Sequence, residues 1–213
     1  MNKDQDTIYA INHYNFFDKI VFKKRLEISN IINNIIEDLQ IHDALDIGTT
    51  SDDKNASSNI VIKNIKNIDK FKCISDQIVN SDFFNKKLKK SITEEFSENE
   101  LYDFSSDLVV SNATIEHVGN TLNQKKMLEN VIKLTKKIFV ITTPNKFYPI
   151  ELHTKIPLIH WFPKSIYRKI LKFLGLSFYA DEKNLNLLSV NELKKMLDNY
   201  KIMYEIKFIK LFF

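Results

Sequence analysis

ALDIGTTSDD, residues 44–53, runs from an apolar segment through an acid, Asp46, to a single glycine, Gly48, and then into hydroxyls and further acids. In open α/β sheets this passage, just outside the carboxyl end of a strand, is where nucleotide-like ligands bind. A dinucleotide loop needs three glycines so that a pyrophosphate can rest on a helix N-terminus. Only Gly48 is present, and the GxxxxGK[ST] phosphate cradle is absent from the chain. The stretch therefore fits a ligand other than NAD, FAD or a nucleoside triphosphate.

Outward from it, short apolar runs alternate with helical patterns. ALDI ends at Gly48, FKCIS at Asp76, DLVVS at Ser111 and KIFVITT at Thr143, with QKKMLENVIKLT between the last two. Such an alternation reads as a parallel sheet covered on both faces by helices. Before it, Ile20, Ile28, Ile31, Ile32, Ile35, Ile36 and Leu39 recur at helical spacing and predict one or two amphipathic helices. All four prolines, Pro144, Pro149, Pro157 and Pro163, fall within residues 144–163. They predict a stiff, irregular cap over the sheet edge. KSIYRKILKFLG (164–175) reads as a basic amphipathic helix closed by Gly175, VNELKKMLDNY (190–200) as a helix capped by Ser189, and KIMYEIKFIKLFF (201–213) as containing a last strand.

The composition bounds the function classes. A chain of 213 residues with 44% hydrophobic content supports one α/β domain. Its 31 basic and 27 acidic residues are interspersed, which argues against a dedicated nucleic-acid binder. Cys73 is the lone cysteine, so an internal disulfide and a cysteine zinc site are excluded and a reduced, cytoplasmic setting is expected. There is no signal-like N-terminus and no apolar run near the ~20 residues of a membrane span, so a soluble protein is expected.

S-adenosylmethionine carries no phosphate. Its site needs close backbone approach at one point and an acid for the ribose diol one strand later. Gly48 offers the turn, Asp46 a partner for the cationic amine, Thr49 and Thr50 hydroxyls, and Asp76 an acceptor for two ribose hydroxyls. Equally, Asp46 and Asp76 can be ordinary strand-end or helix-cap acids.

DLVVSNATIEHVGN (107–120) places Ser111, Asn112 and Ala113 at a strand end and Glu116 and His117 at the start of the next element. It resembles the fourth motif, DxVxxxxxxEHV, of class I S-adenosylmethionine-dependent methyltransferases. IFVITTPNKFYPIELHTKIPLIHWFP (138–163) resembles the vTTPNRWfPvExHTxLPxxHWLP of a bacterial, type 11-like branch. That branch also shows DxGxTxD…SSN and ENLNLLS, similar to DIGTTSDDKNASSN (46–59) and EKNLNLLS (182–189) here. Four matches in one order span roughly residues 44–189.

The resemblance implies a Rossmann-like, seven-stranded, mostly parallel sheet with helices on both faces and a reversed C-terminal strand. It puts S-adenosylmethionine across the ends of strands one, two and four, held by Asp46, Gly48, Thr49, Thr50, Asp76, Ser111, Asn112 and Ala113. An adenine contact is implied within KKSITEEFSENELYDF (89–104), at Glu94 or Glu95. The organisation expected is one methyltransferase domain: N-terminal helices over 1–42, a cofactor-binding core over 43–143, a cap or acceptor-side insertion over 144–188, and a C-terminal helix and strand over 189–213.

Methyl transfer from a sulfonium needs alignment, and a base where the acceptor loses a proton. His117, with Glu116, is the candidate base; the other reading makes the pair structural. Where related motifs hold a divalent ion through Glu-x-x-Glu-His, Ala113 replaces the first acid, so no metal is expected. His153, His160 and Trp161 can line an acceptor pocket, or the aromatics can simply pack the cap. The basic helix 164–175 can rest on an anionic membrane surface, or present an ordinary solvated face. The function expected is methyl transfer to a small-molecule, glycan or lipid-linked acceptor; the alternative is an inactive protein of the same fold acting as a binding module.

Overall fold

The computed structural model describes residues 16–51 and 57–210. Five parallel strands form one sheet in the order β3-β2-β1-β4-β5: β1 Asp43–Ile47, β2 Lys70–Ser75, β3 Lys86–Lys89, β4 Ser106–Asn112 and β5 Thr135–Thr142. The helices are α1 Phe16–Ile36, α2 Ile60–Lys63, α3 Glu98–Phe104, α4 Thr121–Leu134, α5 Lys164–Phe173, α6 Ser177–Ala180 and α7 Val190–Leu197.

The pleat alternation divides the strands between two cores. Ala44, Cys73, Leu108 and Val110 face one side, where Ile32 and Ile36 of α1 cover them. Leu45, Ile47, Ile74 and Val109 face the other, under Met127, Leu128, Val131 and Leu134 of α4 and Met196 and Leu197 of α7. The expected two-sided covering is thus what the chain forms. β1 and β4 are also tied at their starts, where Asp107 N–H donates to Asp43 Oδ1 at 2.8 Å and His42 N–H to Asp107 Oδ2 at 3.0 Å.

One strand was not foreseen in the sequence and one expected strand does not form. β3 is KKLK, three lysines around one leucine, so it carries no apolar run; as the sheet edge it gains from lysines that discourage pairing with another chain. The strand expected within 201–213 does not form over 201–210, and 211–213 lie outside the described residues. Its alternating pattern is satisfied without a ladder, because Ile202 and Tyr204 pack against the α4–α7 core and the Tyr204 hydroxyl donates to Asp198 Oδ1 at 2.6 Å. The sheet therefore has five strands among the described residues, where seven were expected, and no reversed strand.

The strand order reverses between β1 and β4, both of which end beside Gly48. Gly48 adopts φ +82°, and a Cβ there would lie 2.2 Å from Thr114 Oγ1. Both the backbone conformation and the close approach therefore demand glycine. Gly48→Ala should cost at least about 2 kcal/mol in urea unfolding. The double variant with Thr114→Gly should recover the clash part and leave about 1 kcal/mol of backbone strain.

Candidate functional site

The reversal opens a cavity of about 1110 Å³ outside the carboxyl ends of β1, β2 and β4. This is the place where a doubly wound sheet binds ligands. On its floor, Asp46 near the end of β1 is followed by Gly48, Thr49 and Thr50, Asp76 follows β2, and Asn112 and Ala113 stand at the end of β4. The sequence-predicted cofactor residues are thus brought together, apart from two. Ser111 is fully buried beneath the floor, its hydroxyl donating to Ile47 O at 3.3 Å. Glu94 is exposed and turns away, its Oε1 accepting from Ser91 N–H at 3.2 Å, while Ile92 and Thr93 of the same turn line the cavity.

The hydroxyls after Gly48 have internal partners. Thr49 Oγ1 donates to Asp46 Oδ2 at 2.6 Å, and Thr50 Oγ1 to Asn59 Oδ1 at 3.0 Å. Asn59, in left-handed conformation, also accepts from Thr50 N–H at 2.9 Å and donates to Thr50 O at 3.1 Å. It thereby closes a loop whose middle, 52–56, lies outside the described residues. The Asp46 carboxyl is pushed up to about 6 by burial, against the lowering effect of the Thr49 hydrogen bond. Asp76, by contrast, is exposed at the rim.

The opposite wall is built from distant segments. Glu116 and His117 lie in a 3-10 turn, Ile115–His117. Residues 184–186 are stitched to it: Asn186 N–H donates to Glu116 O at 2.7 Å, Gln124 Nε2 to Asn186 O at 2.8 Å, and Asn186 Nδ2 to Gly119 O at 2.8 Å. From the 144–163 segment, His153 enters with Nε2 3.1 Å from His117 Nε2. Its other ring nitrogen lies 2.6 Å from Glu151 Oε1. Lys155 Nζ pairs with Asp18 of α1 at 3.0 Å, joining this segment to the N-terminal helix.

In this arrangement both ring nitrogens of His117 are engaged. Its Nδ1 is taken up by Asn184 O at 2.7 Å, and its Nε2 faces His153. Burial and the neighbouring His153 push it down to about 3. For His153 burial works downward, but the hydrogen bond and charge of Glu151, with the charge of Glu116, carry it above the usual value. Burial works upward on Glu151, yet His153 and the Thr154 N–H hold it down to about 2. Glu116 is fully buried; burial raises its pKa, and Thr143 Oγ1 donates to its Oε2 at 2.9 Å.

His160 and Trp161 do not reach the cavity. His160 is buried, with Nε2 2.7 Å from Tyr148 O, and packs beside Tyr167 of α5. Trp161 is exposed on the outer surface. Sequence reasoning passed over Arg25, Asn59, Tyr179 and Asn184, all of which line the cavity. Asn59 closes the DIGTTSDDKNASSN stretch and Asn184 opens NLNLL, while nothing in the sequence pointed to Arg25 or Tyr179. The basic helix α5 buries Tyr167 and Leu171 and pairs Arg168 with Glu182 at 2.9 Å, while Ile166 and Phe173 stay exposed. Among the described residues, no helix is long and apolar enough to cross a membrane.

The Asp46 environment makes a stability prediction. Its folded pKa lies above the unfolded one, so the folded state holds the extra proton between about pH 4 and pH 6, and stability is lost as pH rises through that window. Measured by urea unfolding against Asp46→Asn, which cannot ionise, the wild type should lose up to about 3 kcal/mol between pH 4 and pH 7. A difference that does not change with pH would contradict the burial of Asp46.

No protein-family model and no curated protein sequence matches the chain. Solved structures do. The plantazolicin methyltransferase BpumL, in complex with a monoazolic desmethylPZN analog and SAH, superposes with a TM-score of 0.54 at 12% identity over 86% of this chain and 66% of that one. The CurJ carbon methyltransferase gives 0.50 at 12% identity over 82% and 46%. This chain therefore spans less than two thirds of the length of either. With a parallel sheet ordered β3-β2-β1-β4-β5, helices on both faces and these neighbours, the chain has the fold of the class I methyltransferases.

Proposed function

We propose that the protein transfers a methyl group from S-adenosylmethionine to a small-molecule acceptor. The observation that carries this reading is the convergence of Asp46, Asp76 and Asn112 on one cavity at the strand-order reversal, without a phosphate cradle. The donor set fits the cofactor. Asp76 offers a solvent-reaching carboxylate for a ribose diol, and Ile92 and Thr93 offer a surface for a flat base. Asp46 offers a buried acid that a cationic amine would ionise. Gly48 contributes by letting the chain pass Thr114, which fixes where these groups stand. S-adenosylmethionine supplies a methyl carbon already activated by a sulfonium. The chain's residues have then to align the acceptor in line with it and exclude water.

The acceptor side is the wall of His117, His153 and Tyr179, with Lys155 above it. A small molecule there is supported by BpumL, which was solved in complex with a monoazolic desmethylPZN analog and SAH. His117 and Glu116 shape this wall through their contacts with Asn184, His153 and Thr143. A protein that binds the cofactor without transferring the methyl is the alternative that a turnover assay excludes.

Calorimetric titration with S-adenosylmethionine and S-adenosylhomocysteine tests the cofactor. Binding should weaken at least tenfold in Asp76→Ala, as expected for loss of a charge-assisted hydrogen bond of about 1.5–3 kcal/mol. It should also weaken as pH falls below about 6, where Asp46 takes up a proton, and this dependence should vanish in Asp46→Asn. Absence of binding to the wild type, or an Asp76→Ala variant that binds as the wild type does, would refute the assignment.

A further inference from the structure

The wall opposite the strand ends holds an arrangement that methyl transfer itself does not require. His117 sets Nδ1 2.7 Å from the carbonyl of Asn184. A carbonyl can only accept, so the ring proton sits on Nδ1 and Nε2 carries a lone pair. His153 sets Nδ1 2.6 Å from Glu151 Oε1, again an acceptor. Its Nε2 then also carries a lone pair in the neutral ring. The two Nε2 atoms are 3.1 Å apart, with the rings edge to face. Lone pairs aimed at one another need a cation between them, either a proton or a metal ion.

Three further observations favour the metal. First, at metal–nitrogen distances of about 2.1 Å, two ligands on one ion lie about 3.0 Å apart at a right angle and about 3.4 Å apart at the tetrahedral angle; the observed separation falls between. Second, Glu116 Oε1 is fully buried with no hydrogen-bond partner, although Oε2 is held by Thr143. It lies 3.9 Å from His117 Nε2, and the ligand atoms of Glu116, His117 and His153 all fall within 4.8 Å of one another. Such an orphaned buried carboxylate oxygen is costly, and a cation would offset that cost. Third, Glu151 is itself fixed, accepting from His153 N–H at 3.0 Å and Thr154 N–H at 2.6 Å. A carboxylate that orients a histidine through its far nitrogen is the usual outer partner of a metal ligand.

We propose that Glu116, His117 and His153 bind one divalent transition-metal ion, with its remaining coordination positions open to the cavity. Two imidazoles and one carboxylate suit zinc, cobalt, iron(II) or manganese(II). The expectation of no metal rested on Ala113 standing where related motifs have an acid; His153 supplies from the next loop the ligand that the local motif lacks. Arg25 is near enough for its charge to be felt at Glu116 and His153, and it works against a second cation, which sets the affinity below that of an all-neutral cage.

The test is titration of tag-free, chelator-stripped protein with cobalt(II) alone, followed by visible absorption and calorimetry. No S-adenosylmethionine is present, so a negative result leaves the methyl-transfer reading untouched. One equivalent should bind, with the ligand-field bands of a nitrogen-ligated ion. His153→Ala and Glu116→Gln should each weaken uptake at least about 100-fold, and Glu151→Gln, which keeps all three ligands, about 10-fold. Arg25→Gln should tighten it. Circular dichroism and unfolding in chelator check that each variant folds; if His153→Ala does not, Glu151→Gln and Arg25→Gln still carry the test. Absence of stoichiometric uptake by the wild type, which would leave a shared proton as the cation, overturns the proposal. Uptake equal in all folded variants does so too.

Discussion

The contact of Gly48 with the Thr114 side chain is the constraint on which the rest of the site depends. β1 and β4 are neighbours in register from Ala44–Leu108 to Ile47–Ser111, so their outgoing loops leave the sheet side by side. Because Gly48 has no Cβ, Thr114 can close over it and donate to Ile47 O at 3.2 Å. The β1 loop is thereby turned toward β2, where Gly48 N–H reaches Ile74 O at 3.0 Å and Ser75 Oγ donates to Thr49 O at 2.7 Å. The β4 loop goes the other way, through Ala113 in left-handed conformation. Two chains that part at one tightly packed point leave a space between them, and that space is the cavity.

How much of this could be read from the sequence follows from how local each feature is. β1, β2 and β4 announce themselves as apolar runs because both faces of each are covered, and β5, though an edge strand of partly buried residues, still carries Ile138, Phe139, Val140 and Ile141 in a row. β3 does not, because an edge strand lies open along one side and three of its four residues are lysines. The tail 201–210 has the period of a strand, but period alone does not supply a neighbour to pair with. At the site, Asp46, Gly48, Asp76 and Asn112 stand at strand ends, where topology alone places them. The partners of His117 are 36 and 67 residues away, at His153 and Asn184, and no spacing rule joins them. Glu94 was misplaced for a related reason: the turn 91–94 folds back on itself through the Ser91–Glu94 hydrogen bond, which turns the acid outward and leaves Ile92 and Thr93 facing in.

The two walls also differ in how they are held. The strand-end floor is fixed by parallel ladders and by hydrogen bonds within a few residues. The opposite wall is held by side chains that reach across the sequence, chiefly Gln124, Asn186 and Lys164, whose Nζ donates to Asn186 Oδ1 at 2.7 Å. A wall built from loop segments can change its lining without disturbing the sheet. A floor fixed by the sheet facing a wall built from loops is the kind of arrangement that lets one fold serve many functions.

The buried acids show where the fold keeps free energy in reserve. Asp46, Glu116 and Glu151 are all buried, and an unpaired buried carboxylate is costly. Glu151 meets this cost with His153 and two backbone N–H groups, and its pKa is held low accordingly. Asp46 and Glu116 have one hydroxyl each, and among the described residues no lysine or arginine stands within ion-pair distance of either. Both are pushed upward, toward the protonated form. A neutral side chain of the same shape would not carry that cost. Two under-compensated carboxylates, one beneath the strand ends and one behind the histidine wall, are therefore the points of the site where a positive charge would be held most strongly.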